Sequence, residues 1–116
     1  MEIREMQKNE IAQVVEYYSG IVPPRENKEE DQRNFENEIS KAFGSDHMLL
    51  ALEDNKIVGF LRSQIQLNQD GKKVDRVIML LIPLDRLGEG IGGQLIERER
   101  EYAKIKGADV LDIEIG

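Results

Sequence analysis

Ile82-Pro83-Leu84-Asp85-Arg86-Leu87-Gly88-Glu89-Gly90-Ile91-Gly92-Gly93-Gln94-Leu95 is the stretch whose reading decides the fold. An apolar strand runs into closely spaced glycines, and the glycines open an amphipathic helix. Glycine lets the backbone turn sharply and brings its N–H groups close to a ligand. The helix N-terminus adds orphan donors and roughly half a positive charge. Together these make an anion cradle, for which a phosphate or pyrophosphate is the natural guest.

Upstream, Ile3 and Met6 mark a short first strand, and Ile11, Val14, Val15 and Tyr18 follow at helical spacing, with Gly20 as the expected end of that helix. Pro23-Pro24 breaks the chain. Phe35, Ile39 and Phe43 then recur in four-residue steps through a highly charged segment, with Gly44 as the terminator. Met48 to Leu52 and Ile57 to Leu61 are apolar runs joined by the turn Glu53-Asp54-Asn55-Lys56, which predicts an antiparallel hairpin. A second turn, Asn68-Gln69-Asp70-Gly71, leads into the long strand Val74 to Ile82. Beyond the glycines, Ile91, Leu95, Tyr102 and Ala103 fall largely on one side of a helix, while Glu97, Arg98, Glu99, Arg100 and Glu101 are expected to be mostly solvated. Gly107 stops this helix, and Val110 to Ile115 alternates as a strand. A crossover helix precedes that strand, so it runs parallel to the strand before the glycines. The order is β-α-α-β-β-β-α-β, an α/β fold with a mixed, mostly antiparallel sheet flanked by helices.

Composition narrows the function. A chain of 116 residues reads as one domain, 1–116. With 23 acids against 16 bases the net charge is -7, which argues against a nucleic-acid partner. The absence of cysteine excludes disulfides, thiolate metal sites and cysteine nucleophiles. His47 is the single histidine, so a histidine-built metal site is not expected and the residue reads as structural. No apolar run approaches the roughly 20 residues that span a bilayer, and Met1-Glu2-Ile3-Arg4 has no signal-peptide character, so no membrane partner and a cytoplasmic location are expected.

The glycine stretch also resembles the acyl-CoA motif of the GCN5-related N-acetyltransferase (GNAT) superfamily, Gln/Arg-x-x-Gly-x-Gly/Ala between the fourth strand and the next helix. The motif's glycines fall on Gly90 and Gly92, and its leading Gln/Arg falls on Leu87, with Arg86 one position early. Either Arg86 takes over the side-chain contact or backbone groups alone hold the pyrophosphate. The element order matches the superfamily along nearly the whole chain, which is C-terminally short: the resemblance implies a further helix and two strands, with an asparagine and a tyrosine that often serves as general acid.

The resemblance implies acetyl-CoA as co-substrate and transfer of its acetyl group to a primary amine. The cofactor would lie where strands Val74 to Ile82 and Val110 to Ile115 splay apart. Its pantetheine arm would meet backbone groups of Leu81 and Ile82, and its pyrophosphate would meet Leu87, Gly88, Glu89, Gly90, Ile91, Gly92 and Gly93. The family's usual base is a carboxylate on or near the fourth strand, for which Asp75 and, on the partner strand, Glu114 are the candidates. Tyr17, Tyr18 and Phe35 stand in the helices that build the acceptor pocket of the family, and at helical spacing they read first as core.

Two other readings remain. Gly88-x-Gly90-x-x-Gly93 spells a dinucleotide fingerprint, with Asp112 placed to grip a ribose, although it comes after a meander instead of a first strand. A non-catalytic CoA-binding or dimerising module, or a fragment of a longer enzyme, would pair its last strand with a second copy to give a homodimer.

Overall fold

Alternation of apolar residues along the middle of the chain builds a sheet with two buried faces. The structure, a computed structural model, describes residues 1–113. Its strands are β1 (Glu2–Glu5), β2 (His47–Glu53), β3 (Lys56–Leu67), β4 (Lys73–Leu81) and β5 (Val110–Ile113), and they lie side by side in chain order. The first three pairings are antiparallel, and β4 with β5 is parallel, as a helical crossover requires. The helices are α1 (Ile11–Ile21), α2 (Lys28–Ala42) and α3 (Ile91–Ile105). This is the expected α/β architecture and the expected order. An antiparallel meander ahead of the glycines also removes the fingerprint reading, which needs a parallel array beginning at the first strand.

α1 and α2 cover one face of the sheet, where Val14, Val15, Phe35 and Ile39 pack on Met48, Leu50, Leu52 and Phe60. α3 covers the other, with Ile91 and Leu95 against Leu49, Ala51, Leu61 and Val77. α2 is polar on most of its surface and depends on its ends: the Asn27 side chain accepts from the Glu30 N–H at 3.1 Å, and Glu29, Glu30 and Asp31 sit at the positive end of its dipole. Gly20 does not end α1, contrary to expectation. The helix runs to Ile21, and Val22 turns extended (φ -94°, ψ 119°) because the residue before a proline is pushed out of the helical region.

Two register shifts adjust which side chains face which layer. Leu52 pairs with Ile57 while Ala51 pairs with Gly59, leaving Val58 as an extra residue in β3. Arg62 pairs with Met79 while Ser63 pairs with Val77, leaving Ile78 extra in β4. A bulge of this kind resets the two-residue alternation. Before it Asp75 and Val77 face α3; after it Leu80 and Ile82 do so, and Met79 and Leu81 join the opposite core.

α3 approaches the sheet closely at Gly59. A Cβ placed there would stand 2.9 Å from Leu95 Cδ1, 3.0 Å from Ile91 Cγ2 and 3.2 Å from Ala51 Cβ. Glycine is what allows the first turns of α3 to sit down on β3 beside β4. Gly59→Val is therefore expected to cost about 1–3 kcal/mol through overpacking, read as a lowered urea midpoint with an unchanged slope. A midpoint equal to wild type would show that α3 is not pinned there.

Candidate functional site

β4 leaves the sheet at Leu81 and reaches α3 through a short 3₁₀ turn, Leu84–Arg86, and the glycines. Gly88 (φ 86°) and Gly90 (φ 87°) are both left-handed, a conformation that side chains with a Cβ resist. Gly90 is the N-cap of α3, and the first helical bond closes from the Gln94 N–H to its carbonyl at 3.0 Å. By helix geometry the N–H groups of Ile91, Gly92 and Gly93 then have no partner within the helix. No acidic residue lies in that first turn. A Cβ at Gly90 or Gly93 would meet nothing within 4 Å, so the cradle opens onto free space. Ile91 differs from its neighbours: it is 3% exposed, anchoring the turn in the core while the glycines around it stay accessible.

Leu87, at the motif's side-chain position, is 59% exposed and has no donor to offer. Arg86 is beside it, but its guanidinium is already engaged. Nε donates to Glu89 at 2.8 and 2.9 Å, and Nη2 donates to Glu53 at 2.9 and 3.1 Å.

The pairing of β4 with β5 extends from Val74↔Val110 to Val77↔Ile113. Among the described residues no strand covers the β5 side of β4 beyond Val77, and Ile78 to Leu81 are half-buried. This gap adjoins the cradle. Leu81 carries a second tie: its carbonyl accepts from the Tyr17 hydroxyl at 2.8 Å, joining α1 to the end of β4. Burial raises the pKa of that hydroxyl, so it stays a donor. Ile82 packs on the α3 side. Tyr18 stacks on Phe35, with centroids 3.8 Å apart and planes at 6°, as core aromatics do.

The two carboxylates expected to supply a base fare differently. Glu114 lies outside the described residues. Asp75 is fully buried under α3, six residues and so about 20 Å before Leu81 along an extended strand. An acceptor amine does not reach it in this arrangement. Asp112, the residue of the fingerprint reading, pairs with Arg76 at 3.3 Å.

Around Asp75 the structure reveals a cluster that the helical pattern concealed. Glu99 is fully buried, although the charged run from Glu97 to Glu101 reads as solvated. One Glu99 oxygen lies 2.6 Å from His47 Nδ1, and the other accepts from the Ser63 hydroxyl at 2.7 Å. His47 Nε2 faces Glu5 at 3.1 Å, and the imidazole stacks on Tyr102 at 3.5 Å. His47 is thus held in place on both ring nitrogens and one face, in keeping with a structural role. The spacing held a signal: Ile91, Leu95, Glu99 and Ala103 form one four-residue stripe, and all four are buried.

Burial, followed by the neighbouring Glu99, pushes the Asp75 carboxyl up to about 8. Burial also pushes Glu99 up, but His47, then the adjacent Asp75 carboxyl, then the Ser63 hydroxyl outweigh it and leave Glu99 below the usual carboxylate range. The Asp75 oxygens have no hydrogen-bond partner. Two adjacent buried carboxyls cannot both ionise cheaply, so one holds its proton, and the environment selects Asp75.

Comparison with known proteins bears on the fold. The model of the acetyltransferase (GNAT) family matches residues 11–115. No curated protein sequence matches the chain. Among solved structures, the chain is similar to a transcriptional regulator from Bacillus halodurans C-125 (23% identity, TM-score 0.73, covering 97% of this chain and 80% of that one). It is similar to a ribosomal-protein-alanine N-acetyltransferase from Brucella melitensis biovar Abortus 2308 (16%, 0.77, 99% and 80%). It is also similar to an aminoglycoside antibiotic 6'-N-acetyltransferase from Acinetobacter haemolyticus (14%, 0.75, 98% and 79%). At these identities the likeness shows the fold alone, and the three names differ in what they act on.

The buried carboxyl pair gives a test that needs no ligand. The folded state holds the Asp75 proton up to about pH 8, whereas the unfolded chain releases it near pH 4. Between those values the folded state binds more protons, so this stabilising contribution is fully present below pH ~4 and is lost as pH rises through ~8. Asp75→Asn keeps the shape and removes the titration. Its stability should decline less than wild type between pH 5 and pH 8, by on the order of 1–3 kcal/mol in urea titrations. Parallel pH profiles would contradict the assignment.

Proposed function

The chain belongs to the acetyltransferase (GNAT) family, and from that premise we propose that it binds acetyl-CoA at the glycine cradle and transfers the acetyl group to a primary amine. The observation that carries this reading is the pair of left-handed glycines, Gly88 and Gly90, which aims the unpaired amides of α3 into open space beside the end of β4 that no described strand covers on its β5 side. Amides and a helix dipole fit a pyrophosphate. The residues present therefore suit the group: Gly88 to Gly93 would hold the diphosphate through backbone N–H groups, and the β5 side of β4 beyond Val77 would take the pantetheine arm as an added half-strand. Ile82 lies between those two contacts. The Leu81 carbonyl contributes only its second lone pair, since Tyr17 takes the first.

In the reaction the amine nitrogen forms a bond to the thioester carbonyl carbon, the C–S bond breaks, and CoA leaves as the thiolate. A proton must leave the amine as this happens. With Asp75 buried, Glu114 is the base we propose, from its place in sequence directly after β5. The acidic chain, at net charge -7, favours approach of a cationic amine.

Calorimetric titration with acetyl-CoA tests the cofactor reading. Saturable binding at about one site per chain is expected for wild type, and Gly90→Val should lose it, because a β-branched residue resists the left-handed conformation at that position. Equal affinity of the two proteins would overturn the cradle. With an amine substrate in hand, Glu114→Gln should lower kcat about 10²-fold with acetyl-CoA affinity retained, whereas an unchanged kcat would remove Glu114 from the mechanism.

A further inference from the structure

At the rim of the cradle two carboxylates share one guanidinium, where the proposed guest is itself an anion. Glu53, at the end of β2, and Glu89, between Gly88 and Gly90, share the side chain of Arg86. All three are accessible: Arg86 is 25% exposed, Glu53 44% and Glu89 47%. The two anchors differ in kind. Glu53 is fixed by a paired strand, since it lies opposite Lys56 in the hairpin. Glu89 is exposed on the loop between Gly88 and Gly90, so its side chain can swing off Arg86 by a change of rotamer while the backbone of the cradle stays in place. The bonds use Nε and Nη2, and Nη1 makes none among the described residues.

We propose that Glu89 is a specificity determinant of the cradle: its carboxylate occupies Arg86 until a more highly charged phosphate displaces it, while Glu53 keeps the guanidinium at the rim. This rests on the cofactor reading above and adds to it the roles of two carboxylates and the departure at Leu87. Arg86 supplies the side-chain cation that Leu87 cannot. A guest with one negative charge exchanges one carboxylate-type contact for another and gains little. A diphosphate brings more charge to the same guanidinium and to the α3 amides together, so exchange favours it. Glu89 thereby raises the charge a ligand must carry to bind.

The test is calorimetric titration of acetyl-CoA into wild type, Glu89→Gln, Arg86→Gln and the double variant, with inorganic phosphate and inorganic pyrophosphate as second probes. Glutamine keeps the shape and removes the charge. Glu89→Gln should bind acetyl-CoA about three- to tenfold more tightly, and its preference for pyrophosphate over phosphate should shrink. Arg86→Gln should bind about tenfold more weakly, and adding Glu89→Gln to it should recover less than the same exchange gains in wild type. If Glu89 only shapes the loop, Glu89→Gln binds equally or more weakly, and the proposal is overturned while the cofactor reading stands. If wild type binds neither acetyl-CoA nor pyrophosphate, the cofactor reading itself falls and takes this inference with it.

Discussion

One extra residue in β4 sets the geometry on which the candidate site depends. At Ile78 the register with β3 slips, and the side-chain alternation restarts. Without that slip Leu80 and Ile82 would turn toward α1 and α2, and the surface on which the start of α3 rests would lose its apolar residues. Pairing of β4 with β5 reaches its last described partners, Val77 and Ile113, at the same level. Beyond that level no described strand pairs with β4 on its β5 side.

α3 carries opposite demands at its two ends. Near Gly59 and Ile91 it must lie close to the sheet so that its free amides are held at a fixed place beside β4. Further along it buries Glu99, a carboxylate compensated by His47 and Ser63 and set against a protonated Asp75. A leucine or alanine at position 99 would avoid the cost of burying charge. The cluster instead ties β2 and β3 to α3 through directional contacts, with Glu5 of β1 reaching the same imidazole. The N-terminal end of the helix is thus glycine-rich and open, and its middle is held by a polar network.

Much of this was legible in the sequence because its signals are local. The turns at Glu53-Asp54-Asn55-Lys56 and Asn68-Gln69-Asp70-Gly71, the glycines after Ile82 and the steps of Phe35, Ile39 and Phe43 each act within a few residues, and they placed the elements in the correct order. The features that escaped depend on other parts of the chain. Glu99 looks like its charged neighbours until its four-residue spacing from Leu95 and Ala103 is given more weight than its charge. The burial of Asp75 follows from the packing of α3 over β4, which no residue beside Asp75 records. The grip of Glu53 on Arg86 joins residues 33 apart in sequence. Gly20 was misread as a stop because the proline pair two residues beyond the helix is the stronger one.

The family and the fold leave the acceptor open, since similar structures carry names with different targets. The cradle is the part of the account that the residues themselves argue most directly, from backbone conformation and free amides instead of any one side chain. Amide NMR spectra of the ¹⁵N-labelled chain, recorded with and without acetyl-CoA, measure it residue by residue. The account predicts that the largest shifts fall on Gly88, Gly90, Ile91, Gly92 and Gly93 and along Ile78 to Ile82, with the amides of α2 unmoved. Saturable shifts centred on any other surface, or none in the glycine amides, would contradict it.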